Sequence, residues 1–136
     1  MTDICQAIYA YLSKNEQIRE RVGNKIFPIM IPEDAPLPAI VYSPVLANYD
    51  SALQGDTGFV RQTMQFVCHD RTFKKARELS RMVKRAFQDF HGNMYGLEIQ
   101  AVFIKTDYEY NGNTALKFNT EEYLSSIEFE FYYNEK

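Results

Sequence analysis

Residues 59–90 read FVRQTMQFVCHDRTFKKARELSRMVKRAFQDF, a strand pattern followed directly by a helix pattern. Val60, Met64, Phe66 and Cys68 alternate with mostly polar residues, which is typical of a strand with one buried face. Thr72 can cap the helix that follows, and His91 and Gly92 are expected to end it. Apolar or small residues then recur at helical spacing as one stripe: Phe73, Ala76, Leu79, Ser80, Val83, Ala86, Phe87 and Phe90. The stretch therefore predicts a helix packed on a sheet.

Two shorter helices are predicted upstream of this unit. Thr2 or Asp3 can cap the first, and the second runs from Glu16 to Val22 and ends at Gly23. The first has one apolar face, formed by Ile4, Ala7, Ile8, Tyr11 and Leu12. A short β-like segment, 26–31, follows, and a proline-rich connector leads to an apolar strand over 39–45. Pro44 favours a sheet edge or a bulge for that strand.

Two more strands are predicted downstream. Residues 97–106 are apolar on both faces, which favours a central position in the sheet. Residues 123–133 place Ile127, Phe129, Phe131 and Tyr133 on one side and Glu128 and Glu130 on the other. Residues 47–58 and 107–120 lack a sustained period and contain glycine or asparagine turns, so we expect flexible loops there.

This order of elements predicts a single α+β domain over residues 1–136. We expect two layers: a mainly antiparallel sheet of about four to five strands, with two main helices packed on one face. Antiparallel pairing is favoured because only one helix could connect parallel strands.

Composition and charge exclude several classes of protein. The chain of 136 residues has a formal net charge of −3, too small by itself to indicate a nucleic-acid or membrane surface. Cys5 and Cys68 are too few for a disulfide framework or a zinc site, so we interpret both as reduced thiols. The N-terminus lacks a basic secretory signal, and no apolar stretch of about 20 residues could span a membrane. We therefore expect a soluble protein made in a cytoplasm.

No catalytic, cofactor or metal site is predicted. Cys68 and His69 are neighbours on a strand and should point to opposite faces, so they cannot share a proton. The paired carboxylates lie in a loop and on a solvated strand face, where no feature would raise one pKa selectively. A GxxG motif at 55–58 precedes a strand rather than joining two helices, which argues against nucleic-acid clamping of the KH type.

Charge is concentrated in two regions. A basic face is predicted opposite the apolar stripe of the long helix, and the last forty residues are predominantly acidic. The candidate subunit interface consists of Lys74, Arg77, Arg81, Lys84, Arg85, Glu128 and Glu130. Three interpretations of the basic face remain open: a solvated helix, a contact with an acidic neighbour, or a surface that faces phosphates.

Several segments together resemble one family. They are the short N-terminal helix, VGNKIFPIMIPEDAPLPAIVYSPV at 22–45, the strand ending in HDRTFKKARELSRMVKRAF at 69–87, and a tyrosine-rich loop that leads to FEFYY at 129–133. This order is similar to that of the small tail-completion proteins of long-tailed, siphovirus-type bacteriophages and prophages, which act as tail terminators or head-to-tail joining proteins.

The resemblance implies a non-enzymatic virion protein, assembled in the host cytoplasm, that caps the tail tube or joins it to the head connector. It implies a ring of identical subunits, with a hexamer as one possibility, through which DNA passes without specific recognition. Its partners would be copies of itself, the tail-tube protein and the head-connector proteins. The candidate assembly residues in or beside the two predicted loops are Tyr49, Asp50, Leu53, Gln54, Phe59, Tyr108, Tyr110, Asn111, Leu116 and Phe118. The alternative function is a small nucleic-acid-binding module that uses the basic helix 72–90.

Overall fold

The computed structural model describes residues 3–32, 34–53, 55–111 and 123–135. The helices are α1 (Ile4–Ser13), α2 (Glu16–Val22) and α3 (Phe73–Phe87). The strands are β1 (Ile26–Pro28), β2 (Ala39–Ala52), β3 (Gly55–Asp70), β4 (Gly92–Met94), β5 (Leu97–Asn111) and β6 (Tyr123–Asn134). The α+β class is confirmed.

The strands form one sheet in the order β1-β2-β3-β6-β5-β4. Its six strands exceed the four to five expected. β1 lies within the predicted β-like segment 26–31, whereas β4 was not predicted because three residues are too few to leave a sequence period. Only the β1–β2 pair is parallel, so the mainly antiparallel arrangement is confirmed. β6, the last strand of the chain, lies in the middle of the sheet.

β5 does not take the central position that its sequence predicts. β4 pairs only with Leu97–Ile99, and within the described residues no other strand pairs along that edge of β5. Phe103 is 56% exposed and Ile104 is also exposed. Apolar residues on both faces therefore mark a partly solvated strand here, rather than a doubly covered one.

Side chains near the helix ends explain where the helices begin and stop. Asp3 caps α1 in a reciprocal arrangement with Gln6, while Thr2 lies outside the described residues. Gly23, at a φ of +62°, ends α2 as predicted. The Thr72 side chain accepts a hydrogen bond from the Lys75 N–H at 3.2 Å and starts α3. α3 ends at Phe87, earlier than expected, because Gln88 already has extended backbone geometry.

The core lies between the helices and one face of the sheet. Its centre is an aromatic cluster in which the Phe66 and Phe87 rings stack with centroids 5.0 Å apart and Phe87 meets Phe131 at 5.4 Å. The Ser125 hydroxyl donates a 2.7 Å hydrogen bond to the Ser80 hydroxyl in this buried interface, which fixes α3 on β6. Because a buried hydroxyl needs a hydrogen-bond partner, this bond also favours one orientation of α3 about its own axis.

The prediction that the first of the two loops is flexible and irregular is wrong. Residues 47–58 belong to a long β2–β3 hairpin rather than to a flexible loop. The strands there extend past the layered part of the molecule, so neither face has to be apolar and no alternation appears in the sequence. Pro44 lies at a bulge on the exposed edge of β2, as its presence predicted. Of the second predicted loop, 107–111 belongs to β5, and 112–120 lies outside the described residues.

Among the residues described, no helix is long and apolar enough to cross a membrane.

Candidate subunit interface

The outward face of α3 carries the basic cluster that the sequence predicts. Ala76, Leu79, Val83 and Phe87 are buried against the sheet. The opposite side of the helix therefore projects Lys74, Arg77, Arg81, Lys84 and Arg85 away from the core. The 3.6-residue period of an amphipathic helix is the physical cause of this separation.

A groove of about 580 Å³ runs along this face, between α3 and the end of α2. Its lining combines cationic and apolar side chains with one carboxylate, and consists of Arg21, Phe73, Lys74, Arg77, Glu78, Arg81, Met82 and Arg85. Phe73, expected in the buried stripe, is instead 52% exposed here. It occupies the first turn of α3 and lines the groove together with Lys74 and Arg77.

Arg21 forms one wall of the groove. Its guanidinium lies 3.5 Å from the Glu78 carboxylate and 3.9 Å from that of Asp70, and it donates a hydrogen bond to the Lys75 carbonyl at 3.5 Å. Sequence reasoning missed Arg21 because it belongs to another helix, about fifty residues away in sequence. No local pattern signals such a contact.

Arg81 is already engaged within the subunit. It donates a 2.8 Å hydrogen bond to the Asp107 carboxylate on β5. That hydrogen bond is the main reason why the pKa of Asp107 lies below its ordinary value. Burial opposes it, and the positive charges of Arg81, Lys84 and Arg77 lower the pKa further. Arg81 thus links the basic face to β5 and is less available to a partner than Lys74 or Arg85. Among the described residues, neither of those two forms a salt bridge.

Glu128 and Glu130 lie on the other side of the sheet. On β6 they alternate with Ile127, Phe129 and Phe131, which face α3 and the core. Both glutamates are half-buried, and Glu130 accepts a 2.5 Å hydrogen bond from the Tyr132 hydroxyl. This bond is the main reason why the pKa of Tyr132 is raised. The structure therefore does not bring the acidic and basic candidates together within one subunit.

The hairpin brings together three of the candidate assembly residues. Tyr49, Asp50 and Phe59 line a second, smaller groove of about 280 Å³ near the tip. Leu53 is fully exposed at the turn, and Gln54 lies outside the described residues.

The remaining candidates are far from the hairpin. Strand register places Asn111 opposite Tyr123, and Tyr123 opposite Asp70. Phe59, by contrast, pairs with Asn134 at the other end of β6. Tyr108 and Tyr110 belong to the same end as Asn111, while Leu116 and Phe118 lie outside the described residues. The two groups of candidate residues thus mark opposite ends of the sheet.

Cys68 and His69 lie on opposite faces of β3, as strand alternation predicts. Cys68 is fully buried on the helix side of β3, and His69 follows on the other face. Burial strongly raises the pKa of the Cys68 thiol, so it stays protonated at neutral pH. In the described ranges no group of three His, Cys, Asp or Glu residues could hold a metal ion.

Exposed apolar side chains at the sheet edges were also missed. Val45 and Leu46 on β2 and Phe103 and Ile104 on β5 are all exposed. Sequence alternation assigns such residues to a core, because it does not show which strands end up at an edge.

Comparison with known proteins gives matches of two kinds. A family model described as "Tail completion protein gp17" matches residues 6–112. Among 26 chains of solved structures that match, one belongs to a structure described as "Virion of native gene transfer agent (GTA) particle". It has 13% sequence identity and a TM-score of 0.69, and the match covers 96% of this chain and 94% of that one. At that identity the likeness shows the fold alone. No curated protein matches the sequence.

Proposed function

Because the chain belongs to the tail completion protein gp17 family, we propose that it is a ring subunit that caps the tail tube or joins it to the head connector. Family membership confirms the resemblance found in the sequence and makes the chain a structural component of a phage-type virion. The ring, its place in the tail and the contacts within it are our proposal. We assign the chain no catalytic role.

One observation carries the proposal: the molecule has unlike surfaces on different sides. The basic face of α3 lies on the helix layer, whereas Glu128 and Glu130 lie on the far face of the sheet. A ring of identical subunits uses heterologous contacts, in which two different patches of each subunit meet. Complementary charge on such patches selects the correct neighbour and fixes the register between subunits.

The positions of the candidate assembly residues support a place between two partners. The hairpin residues Tyr49, Asp50 and Leu53 lie at one end of the sheet, and 108–111 lies at the other. A ring subunit needs more than one contact region, because it contacts neighbouring copies as well as the tail tube or the head connector. DNA then passes through the ring, with no sequence recognition required of this chain.

Sedimentation velocity of the purified protein, alone and mixed with its tail-tube and connector proteins, tests the ring. We expect a discrete closed oligomer, with six subunits as one possible number, in at least one of these mixtures. A monomer under every condition would overturn the proposal.

A second candidate function is nucleic-acid binding by the same helix, and the five cations that line the groove favour it. Binding through phosphates must weaken steeply as salt is added, because it releases counterions. Titration of duplex DNA at increasing salt separates this candidate from the first. It fails if no binding is detected near physiological salt.

A further inference from the structure

We infer that the groove between α2 and α3 receives the tip of the β2–β3 hairpin from a second copy of this chain. The inference rests on the proposed ring and names the two surfaces that form its repeated contact. It replaces Glu128 and Glu130 with the hairpin as the acidic side of that contact.

The hairpin projects beyond the sheet. β1 pairs with β2 only as far as Tyr42, and β6 ends opposite Phe59. Among the described residues, the segments 50–53 and 55–57 therefore have only each other as strand neighbours. The Thr57 hydroxyl donates a 3.0 Å hydrogen bond to the Asp50 carbonyl, which links the two strands of the hairpin. Because a lone two-stranded hairpin is only marginally stable in water, a partner surface would stabilise it.

The side chains near the tip combine acidic and apolar character. Residues 46–60, LANYDSALQGDTGFV, contain two aspartates and no lysine or arginine. Tyr49 is 65% exposed, Leu53 is fully exposed and the Asp50 side chain faces solvent. An exposed apolar cluster beside a carboxylate is typical of a segment that docks on a basic and partly apolar surface.

The groove has the matching chemistry. Lys74, Arg77 and Arg85 supply positive charge, while Phe73 and Met82 supply an apolar surface between them. Its volume of about 580 Å³ falls within the roughly 300–1,000 Å³ range of pockets that hold compact ligands. A tyrosine and a leucine side chain from the tip are well within that size.

The two alternative occupants fit less well. Glu128 and Glu130 are half-buried on a central strand, and Glu130 is already bonded to Tyr132, so they cannot enter a groove. A nucleic-acid phosphate would pair with the cations but would leave Phe73 and Met82 without an apolar partner.

The contact has to be intermolecular. β3 extends about 50 Å from the hairpin turn to Asp70 at roughly 3.3 Å per residue. α3 starts just after Asp70 and returns only about 22 Å along the sheet at 1.5 Å per residue. The groove thus lies well short of the tip of its own hairpin. Because hairpin and groove are different surfaces, the contact is heterologous and can close into a ring.

Cross-linking of two differently labelled variants tests the inference. In a Cys5→Ser background, Leu53→Cys is mixed with Phe73→Cys, in the presence of whichever tail partners the ring requires, and treated with a short bismaleimide. The remaining cysteine, Cys68, is fully buried. We expect the mixture to give several-fold more cross-linked dimer than either variant alone. Each changed side chain is exposed, and circular dichroism checks that both variants fold.

The matched control mixes Leu53→Cys with Glu98→Cys, an exposed position on β5 outside the groove. If rings form by sedimentation but Leu53→Cys links to Phe73→Cys no better than to Glu98→Cys, the inference is overturned and the ring stands. If Leu53→Cys links mainly to itself, the contact is isologous and the inference also fails. If no oligomer forms with any partner, the proposed function fails as well.

Discussion

Strand β3 passes through two different environments along its length. From Val60 to Cys68 it lies between β2 and β6, beneath α3, and its helix-facing side chains are buried. At 55–57 the same strand pairs only with β2 and lies beyond the helix layer, within the described part of the chain. The core half of β3, 60–68, contributes to the stability of the subunit, and we propose that the hairpin end at 55–57, the contact half, belongs to a surface for assembly. Substitutions in the two halves should therefore separate folding from assembly.

The largest expected effect is in the core half. Phe66→Ala removes a fully buried ring that stacks on Phe87, and we expect it to lower the free energy of unfolding by about 3–5 kcal/mol. Urea denaturation followed by circular dichroism measures the loss. Leu53→Ala is the control in the hairpin, where the side chain is fully exposed and the change should stay within about 0.5 kcal/mol. Equal losses at the two positions would remove the distinction between the halves.

A charge exchange tests the contact half. Asp50→Lys and Lys74→Glu should each weaken subunit association about tenfold, equivalent to roughly 1.4 kcal/mol, because each places like charges across the contact. A mixture of the two single variants brings hairpins with Asp50→Lys against grooves with Lys74→Glu. It should therefore recover much of the lost subunit association, which sedimentation velocity measures. The control mixes Asp50→Lys with Glu98→Lys, which changes a charge outside the groove. If the first mixture recovers no more association than this control, residues 50 and 74 do not meet across the contact.

Charge reversal of the basic face is expected to have an intermediate effect. Arg77→Glu combined with Arg81→Glu should lower the yield of assembled rings, since it removes positive charge from the groove. Part of the lower yield would come from repulsion between the carboxylate introduced at position 81 and Asp107. Asp107→Asn is therefore combined with the double variant as a control. An unchanged assembly yield would remove the helix from the subunit contact.

The smallest effect concerns the ion pair between α3 and β5. Arg81→Gln should lower stability by about 0.2–1 kcal/mol at neutral pH, because both side chains are partly exposed. The lowered pKa of Asp107 means that this contribution is present above the ordinary carboxyl pKa of 3.8 and is lost as pH falls through the lower folded value. Thermal unfolding from pH 7 to pH 3 should thus show wild type and variant converging in acid. A constant difference would contradict the assigned partner.

Much of the layered half of the molecule could be predicted from the sequence. The alternation of Val60, Met64 and Phe66 and the capped, amphipathic α3 each follow from a strong local period. The position of β6 was not predictable in this way, because strand order depends on pairings between distant residues. β4 is too short to show any period.

The hairpin and the groove could not be predicted from the sequence. Residues 47–58 show no alternation, and the absence of a period indicated a loop, whereas the structure forms a hairpin that extends beyond the last residue of β6. The basic face of α3 was visible as a run of lysines and arginines. The contribution of Arg21 and Phe73 to the groove was not visible in the sequence, because a groove depends on how two helices pack against each other.

The most direct test of the central claim is an electron cryo-microscopy reconstruction of the assembled tail. We predict a closed ring of this chain at the end of the tail tube, in which the α2–α3 groove of every subunit is covered by the β2–β3 hairpin of its neighbour. A ring in which α3 faces solvent in every subunit, or a particle in which the chain lies elsewhere, would contradict the account.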